Sequence, residues 1–136
     1  MNDPLFVVYT NCFISANLIE NSISAVCFDR ILSIGTIAMS DSIFAEYTEV
    51  LYRKKLDKYL ANAKRIAALS YLKKNSVFFN IIEKIELCKD PKDNMFLELA
   101  NACSASCIIS GDPHLLILHP FGDIPILNAT SFITVF

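Results

Sequence analysis

The sequence predicts an α/β domain in which a mostly parallel sheet is covered by helices on both faces. Three observations lead there. Short apolar runs suited to strands alternate with helical stretches along the whole chain, as in successive βαβ units. The clearest of these runs, at the N-terminus, is continuously apolar, as a strand buried on both faces must be. Finally, 136 residues, 54% of them hydrophobic and 19% charged, suffice for one domain with a real core and are too apolar for disorder. One domain spanning 1–136 is expected, with no repeat, linker or low-complexity segment.

The first strand is Leu5-Phe6-Val7-Val8-Tyr9, closed by Thr10-Asn11, with a helical stretch starting near Phe13. Residues 22 to 33 place Ile23, Val26, Cys27, Ile31 and Leu32 at helical spacing, with Ser22 or Ser24 available as cap and Gly35 as stop. Thr36 to Ser40 reads as the second strand. Ser40 or Asp41 can cap the next helix, whose apolar side carries Ile43, Phe44, Tyr47, Val50 and Leu51 and which the basic stretch after it is expected to prolong. A further helix covers 61 to 74, and a third strand is expected within Val77 to Ile85. Asp90-Pro91 starts the helix Pro91 to Ser104, because Asp caps exposed N–H groups and Pro suits the first helical position. Cys107 to Ser110 is the fourth strand, closed by Gly111-Asp112-Pro113; a helical turn His114 to Leu118, a fifth strand Ile124 to Leu127 and a last helix Ala129 to Val135 complete the chain.

Several classes of protein are excluded. No apolar run approaches the roughly 20 residues that cross a bilayer, and Met1-Asn2-Asp3-Pro4 lacks the basic start of a secretory leader; a cytoplasmic protein is expected. The five cysteines show no paired spacing, and Cys103 and Cys107 lack the partners of a zinc set, so reduced, buried thiols are expected. With three glycines and no Gly-rich loop, a backbone cradle for phosphates has no support. His114 and His119 read as structural. Net charge is −2, but residues 53 to 74 hold eight basic side chains against Asp57 alone, leaving this segment at +7 and the remainder at −9. Such a segment can be the solvated face of helices or can steer a phosphate backbone or an acidic partner.

Three acids fall where open parallel sheets bind ligands, beyond the carboxyl ends of the strands. Asp112 follows the fourth strand, Asp93 lies in the first turn after Pro91, and Glu46 sits about one turn into the helix after the second strand. Hard divalent cations take several oxygen ligands. Converging carboxylates repel one another without such an ion and hold it well when it is present, and the ion can polarise a phosphoryl oxygen and activate water. Each acid also has a structural alternative: Asp93 as a charge at a helix N-terminus, Asp112 as a turn or cap residue, Glu46 as a surface acid.

Taken in order, these segments resemble the PIN-domain family. Phe6-Val7-Val8-Tyr9-Thr10-Asn11 resembles its opening motif, an apolar strand ending in Asp-Thr-Asn. The stretch from Ser42 through Glu46 and Tyr47 to Leu51 is similar to its second motif, that from Asp90 through Asp93 and Asn94 to Ala100 to its third, and Ile108-Ile109-Ser110-Gly111-Asp112-Pro113-His114-Leu115-Leu116 to its fourth. Phe121 to Leu127 follows the pattern of the family's tail. The third and fourth motifs are the most specific. The resemblance implies a three-layer α/β/α fold with a central, mostly parallel sheet of about five strands. It also implies a Mg²⁺- or Mn²⁺-dependent endoribonuclease hydrolysing RNA phosphodiesters, often the toxin of a toxin–antitoxin pair, with an antitoxin partner and a homodimer. Glu46, Asp93 and Asp112 inherit the roles of catalytic metal ligands, Asn11 and Ser110 supporting polar roles, and Asp90 that of an additional acid.

The departure is Tyr9, a neutral phenol where the motif has its first Asp. Tyr has a pKa of about 10 and is a poor ligand for a hard divalent ion, and its ring is large enough to fill the ion's place. Asp3 lies too early on the strand to replace it. Reduced or lost activity is therefore expected, and the alternative function is a non-catalytic module of the same fold that binds an antitoxin or RNA.

Overall fold

The computed structural model describes residues 3–136; Met1 and Asn2, part of the stretch read above for a leader, lie outside the described residues. Five strands form one parallel sheet in the order β3-β2-β1-β4-β5: β1 Leu5–Val8, β2 Thr36–Met39, β3 Val77–Phe78, β4 Cys107–Ile109 and β5 Ile126–Leu127. Among the described residues seven α-helices connect and cover them: α1 Thr10–Leu18, α2 Ile23–Ile34, α3 Asp41–Leu51, α4 Asn62–Asn75, α5 Asn94–Cys103, α6 Pro113–Leu116 and α7 Ala129–Val135. This is the three-layer α/β/α arrangement that the alternating sequence predicts, and the sheet is parallel throughout.

The central strands are buried completely. Phe6, Val7, Cys107, Ile108 and Ile109 are inaccessible to solvent, and helix residues such as Ile31, Ile43, Phe96, Leu97 and Phe132 close over the two faces. Local chemistry sets the boundaries. The Ser22 hydroxyl accepts from the Ala25 N–H to begin α2, and the Ser40 hydroxyl accepts from the Ile43 N–H to begin α3. Gly35 is the extended residue at the end of α2, and a Cβ there would strike the Pro4 carbonyl and the Phe6 ring, so this position tolerates no side chain. All five cysteines are free; Cys27 and Cys107 are buried, and burial pushes each thiol up to about 12, which keeps it protonated and unreactive.

Three expectations need correction and a fourth, the third strand, is narrowed. Thr10 and Asn11 do not close the first strand but open α1, with extended Tyr9 at its N-cap, so the helix starts three residues early. The basic stretch does not prolong α3: the helix ends at Leu51, and a tight 3-10 turn at Lys54–Leu56 follows, pinned by buried Leu56 and Leu60. The third strand is only Val77–Phe78, after which residues 79 to 90 run without regular structure, tied down where the Asn94 side-chain oxygen accepts from the Leu87 and Cys88 N–H groups and the Glu98 carboxylate from that of Ile85. The helix expected from Pro91 is a 3-10 turn, Pro91–Asp93, leading into α5.

Candidate functional site

The chain lays down β1, β2 and β3 in one direction, then crosses back to place β4 and β5 on the other side of β1. The switch point therefore lies between the ends of β1 and β4, where a ligand crevice opens in sheets of this kind. Tyr9 leaves β1 there, its N–H donating to the Ile109 carbonyl at 2.8 Å, and Ser110 and Asp112 leave β4 there. Hydrogen bonds at the surrounding turns and helix starts hold Asp112, Ser110 and Glu46 in place.

Asp112 is held on both carboxylate oxygens. Oδ1 accepts from the His114 N–H at 2.9 Å and caps α6, while Oδ2 accepts from the Tyr9 hydroxyl at 3.2 Å. Fully buried Ser110 supports it from below, its hydroxyl accepting from the Asp112 N–H at 3.0 Å. Glu46, half-buried on α3, accepts from the Thr10 hydroxyl at 3.0 Å. Asp93 is 6% exposed at the start of α5 and makes no capping bond. Asp90 is exposed and caps the turn before it, accepting from the Lys92 N–H at 3.0 Å. Asn11 is exposed in the first turn of α1, with no side-chain hydrogen bond among the described residues.

These acids are electrostatic neighbours. Burial raises the Asp93 carboxyl above its ordinary range, the Tyr9 hydroxyl opposes that rise by hydrogen bonding, and the charges of Asp90, Asp112 and Glu46 add to it. Burial likewise pushes the Tyr9 phenol well up, reinforced by the charges of Asp93 and Asp112 and by its hydrogen bond to Asp112. Tyr9 is thus a firmly protonated donor between two carboxylates, with its ring 4.9 Å from that of Phe96. A carboxyl raised by burial contributes most to stability when protonated. That contribution is complete below the unfolded value of about 4 and is lost as pH rises through the folded value. Asp93→Asn is accordingly expected to melt above the unsubstituted protein at neutral pH, with the gap closing as pH falls to about 4, as thermal melts across that range would record.

Sequence reading missed three residues that build this site. Thr10 holds Glu46; Phe96 backs the Tyr9 ring; Tyr47, next to Glu46, is buried, stacks on Phe13 at 4.5 Å and donates its hydroxyl to the Val8 carbonyl at the end of β1. In the sequence Tyr47 belongs to an apolar helix face and to the second motif, with no role assigned to its hydroxyl. Nothing in its spacing announces that a hydroxyl is needed at a strand end.

The fold and this crevice define a class: the chain belongs to the PIN domain family, whose model matches residues 6–114. An uncharacterized protein of Methanocaldococcus jannaschii is 35% identical over 114 residues, covering 82% of this chain and 73% of that protein. Among solved structures, VapBC2 from Rickettsia felis bound to a DNA fragment from its promoter matches with a TM-score of 0.61, covering 91% of this chain and 98% of that chain at 12% identity, a likeness of fold.

PIN domains generally depend on a divalent metal, and the residues gathered here do not fit one. Among the described residues no group of three or more His, Cys, Asp or Glu side chains converges closely enough to hold an ion. Both oxygens of Asp112 are engaged by protein donors, one of them the Tyr9 hydroxyl, and Glu46 is engaged by Thr10. The crevice gathers negative charge, and protein donors satisfy part of it, at Asp112 and Glu46.

Proposed function

We propose that this chain is a PIN-domain protein of ribonuclease lineage whose acidic crevice is closed by Tyr9, and that it acts by binding rather than by cutting. The observation that carries this reading is the Tyr9 hydroxyl donating to Asp112 Oδ2. A neutral donor of high pKa there consumes a carboxylate oxygen and offers a hard cation nothing in return. The partners proposed are RNA, held without cleavage, and a small antitoxin-type protein; the likeness of fold to VapBC2 supports the second. Action in the cytoplasm and as a homodimer belongs to the same proposal, and among the described residues no helix is long and apolar enough to cross a membrane.

A second reading, a Mg²⁺- or Mn²⁺-dependent ribonuclease using Glu46, Asp93 and Asp112, is favoured by one observation: the charges of Glu46, Asp90 and Asp112 all raise the Asp93 carboxyl, so these acids do share a neighbourhood. Incubation with RNA and either metal separates the two. The protein should cleave no faster with metal than with a chelator; metal-dependent cleavage by the unsubstituted chain would select the second reading.

A further inference from the structure

We propose that the corner between α3 and α4 is a docking surface for single-stranded RNA, built from Lys54, Lys55, Lys58, Tyr52 and Tyr59. Its charge is uncommitted. Of the basic segment's two arginines, Arg53 is paired with Glu49 at 3.1 Å, and Arg65 is buried, donating to the Leu51 carbonyl at 2.9 Å and to Asp57 at 3.0 Å. Asp57, the only acid in the segment, is thereby paired with Arg65, although its side chain stays 61% exposed. Among the described residues the lysines of the corner form no ion pair.

The backbone gathers them. Successive tight turns, in which the Leu56, Asp57 and Tyr59 N–H groups donate to the Arg53, Lys54 and Leu56 carbonyls, fold residues 53 to 60 into a compact knob. Leu56 and Leu60 point inward as anchors, which leaves Lys54, Lys55 and Lys58 outside. Two tyrosines share this outer surface: Tyr59 is 66% exposed, and Tyr52, 42% exposed, is braced by the Arg65 guanidinium 5.3 Å from its ring. An exposed aromatic ring among unpaired lysines is what a flexible polyanion with stacking bases requires. A purely acidic protein would use the charge and leave the rings idle. The rest of the chain carries −9, which repels phosphate elsewhere and confines an encounter to this segment.

This inference rests on the proposed binding of RNA and is independent of whether the crevice cuts. The test is fluorescence anisotropy of a short labelled oligouridylate with the full chain, at low and at physiological salt. The triple variant Lys54→Gln/Lys55→Gln/Lys58→Gln should bind at least about tenfold more weakly at low salt and lower the slope of log K against log salt by roughly 2. Tyr59→Ala should weaken binding about fivefold or more, with Tyr59→Phe restoring it. Lys73→Gln/Lys74→Gln is the control: these lysines sit in the last turn of α4, roughly 16 Å along the helix from its start at Asn62, where the corner leads into it, twice the screening length of about 8 Å, so it should change affinity less than about twofold. Thermal melts confirm that each variant is folded. Equal weakening by the control pair would mean diffuse charge and overturn the proposal; so would insensitivity to the triple, or displacement of RNA by polyglutamate as readily as by unlabelled RNA. Metal-dependent cleavage by the unsubstituted chain would instead overturn the reading of the crevice and leave the docking surface standing.

Discussion

Tyr9→Asp is expected to give a protein that cleaves RNA in the presence of Mn²⁺ and not in the presence of a chelator. The substitution removes the donor that occupies Asp112 Oδ2 and the ring lying 4.9 Å from Phe96, and supplies a carboxylate at the end of β1. Freed of that phenol, Asp112 and Asp93 would share the crevice with a third charge. Without metal this is costly, because like charges raise one another's pKa and Asp93 is already raised by burial and its neighbours. The variant should therefore melt below the unsubstituted protein in chelator, and Mn²⁺ should raise its melting temperature as a ligand that binds only the folded state does. The affinity gained should be on the order of 100-fold or more, the upper end of what even an outer-sphere partner of a metal ligand contributes. Tyr9→Phe separates charge from space: it removes the hydroxyl and adds no ligand, so it should acquire no cleavage.

The second large effect concerns the support beneath Glu46. Tyr47→Ala is expected to cost about 3–5 kcal/mol, as truncation of a fully buried aromatic side chain does. Its ring stacks on Phe13, and its hydroxyl satisfies the Val8 carbonyl at the point where β1 gives way to the crevice. Paired registers with β2 are formed by Leu5 and Phe6, so beyond them this side chain stands in for a sheet partner. Tyr47→Phe keeps the volume and loses that bond, for about 1–3 kcal/mol. Chemical denaturation of both variants checks the ordering. A negligible loss in Tyr47→Phe beside a full loss in Tyr47→Ala would mean that packing alone holds α3 against β1 and that the hydroxyl contributes nothing.

How much of this was legible beforehand differs between fold and site. Strand and helix alternation is written in short apolar runs and 3.6-residue periodicity, so the strands and α-helices are legible though the two 3-10 turns are not, and both serine caps have the chemistry that announces a helix start. Boundaries failed where tertiary contacts decide. Arg65 reaches back to the Leu51 carbonyl and helps end α3 in a corner, and no local feature of residues 52 to 58 forecasts that. Val77 to Ile85 is β-branched enough to promise a strand, yet only its first residues pair with β2, and the stretch beyond is tied to α5 through Ile85, Leu87 and Cys88, whose N–H groups go to Glu98 and Asn94, distant partners that the segment itself does not reveal. At the site, the order of Glu46, Asp93 and Asp112 could be read from motif positions. The hydrogen bonds that join Tyr9 to Asp112 and Thr10 to Glu46 could not, because they span 103 and 36 residues.

The claim on which the functional reading turns is that the Tyr9 phenol occupies the place a cation would need. Calorimetric titration of Mn²⁺ into this protein and into Tyr9→Asp, under identical buffer and salt, measures that directly. The expected result is no saturable heat from the unsubstituted chain and a one-site isotherm from the variant. Equally tight, stoichiometric binding to both proteins would contradict it, since the ion would then find its ligands with the phenol in place.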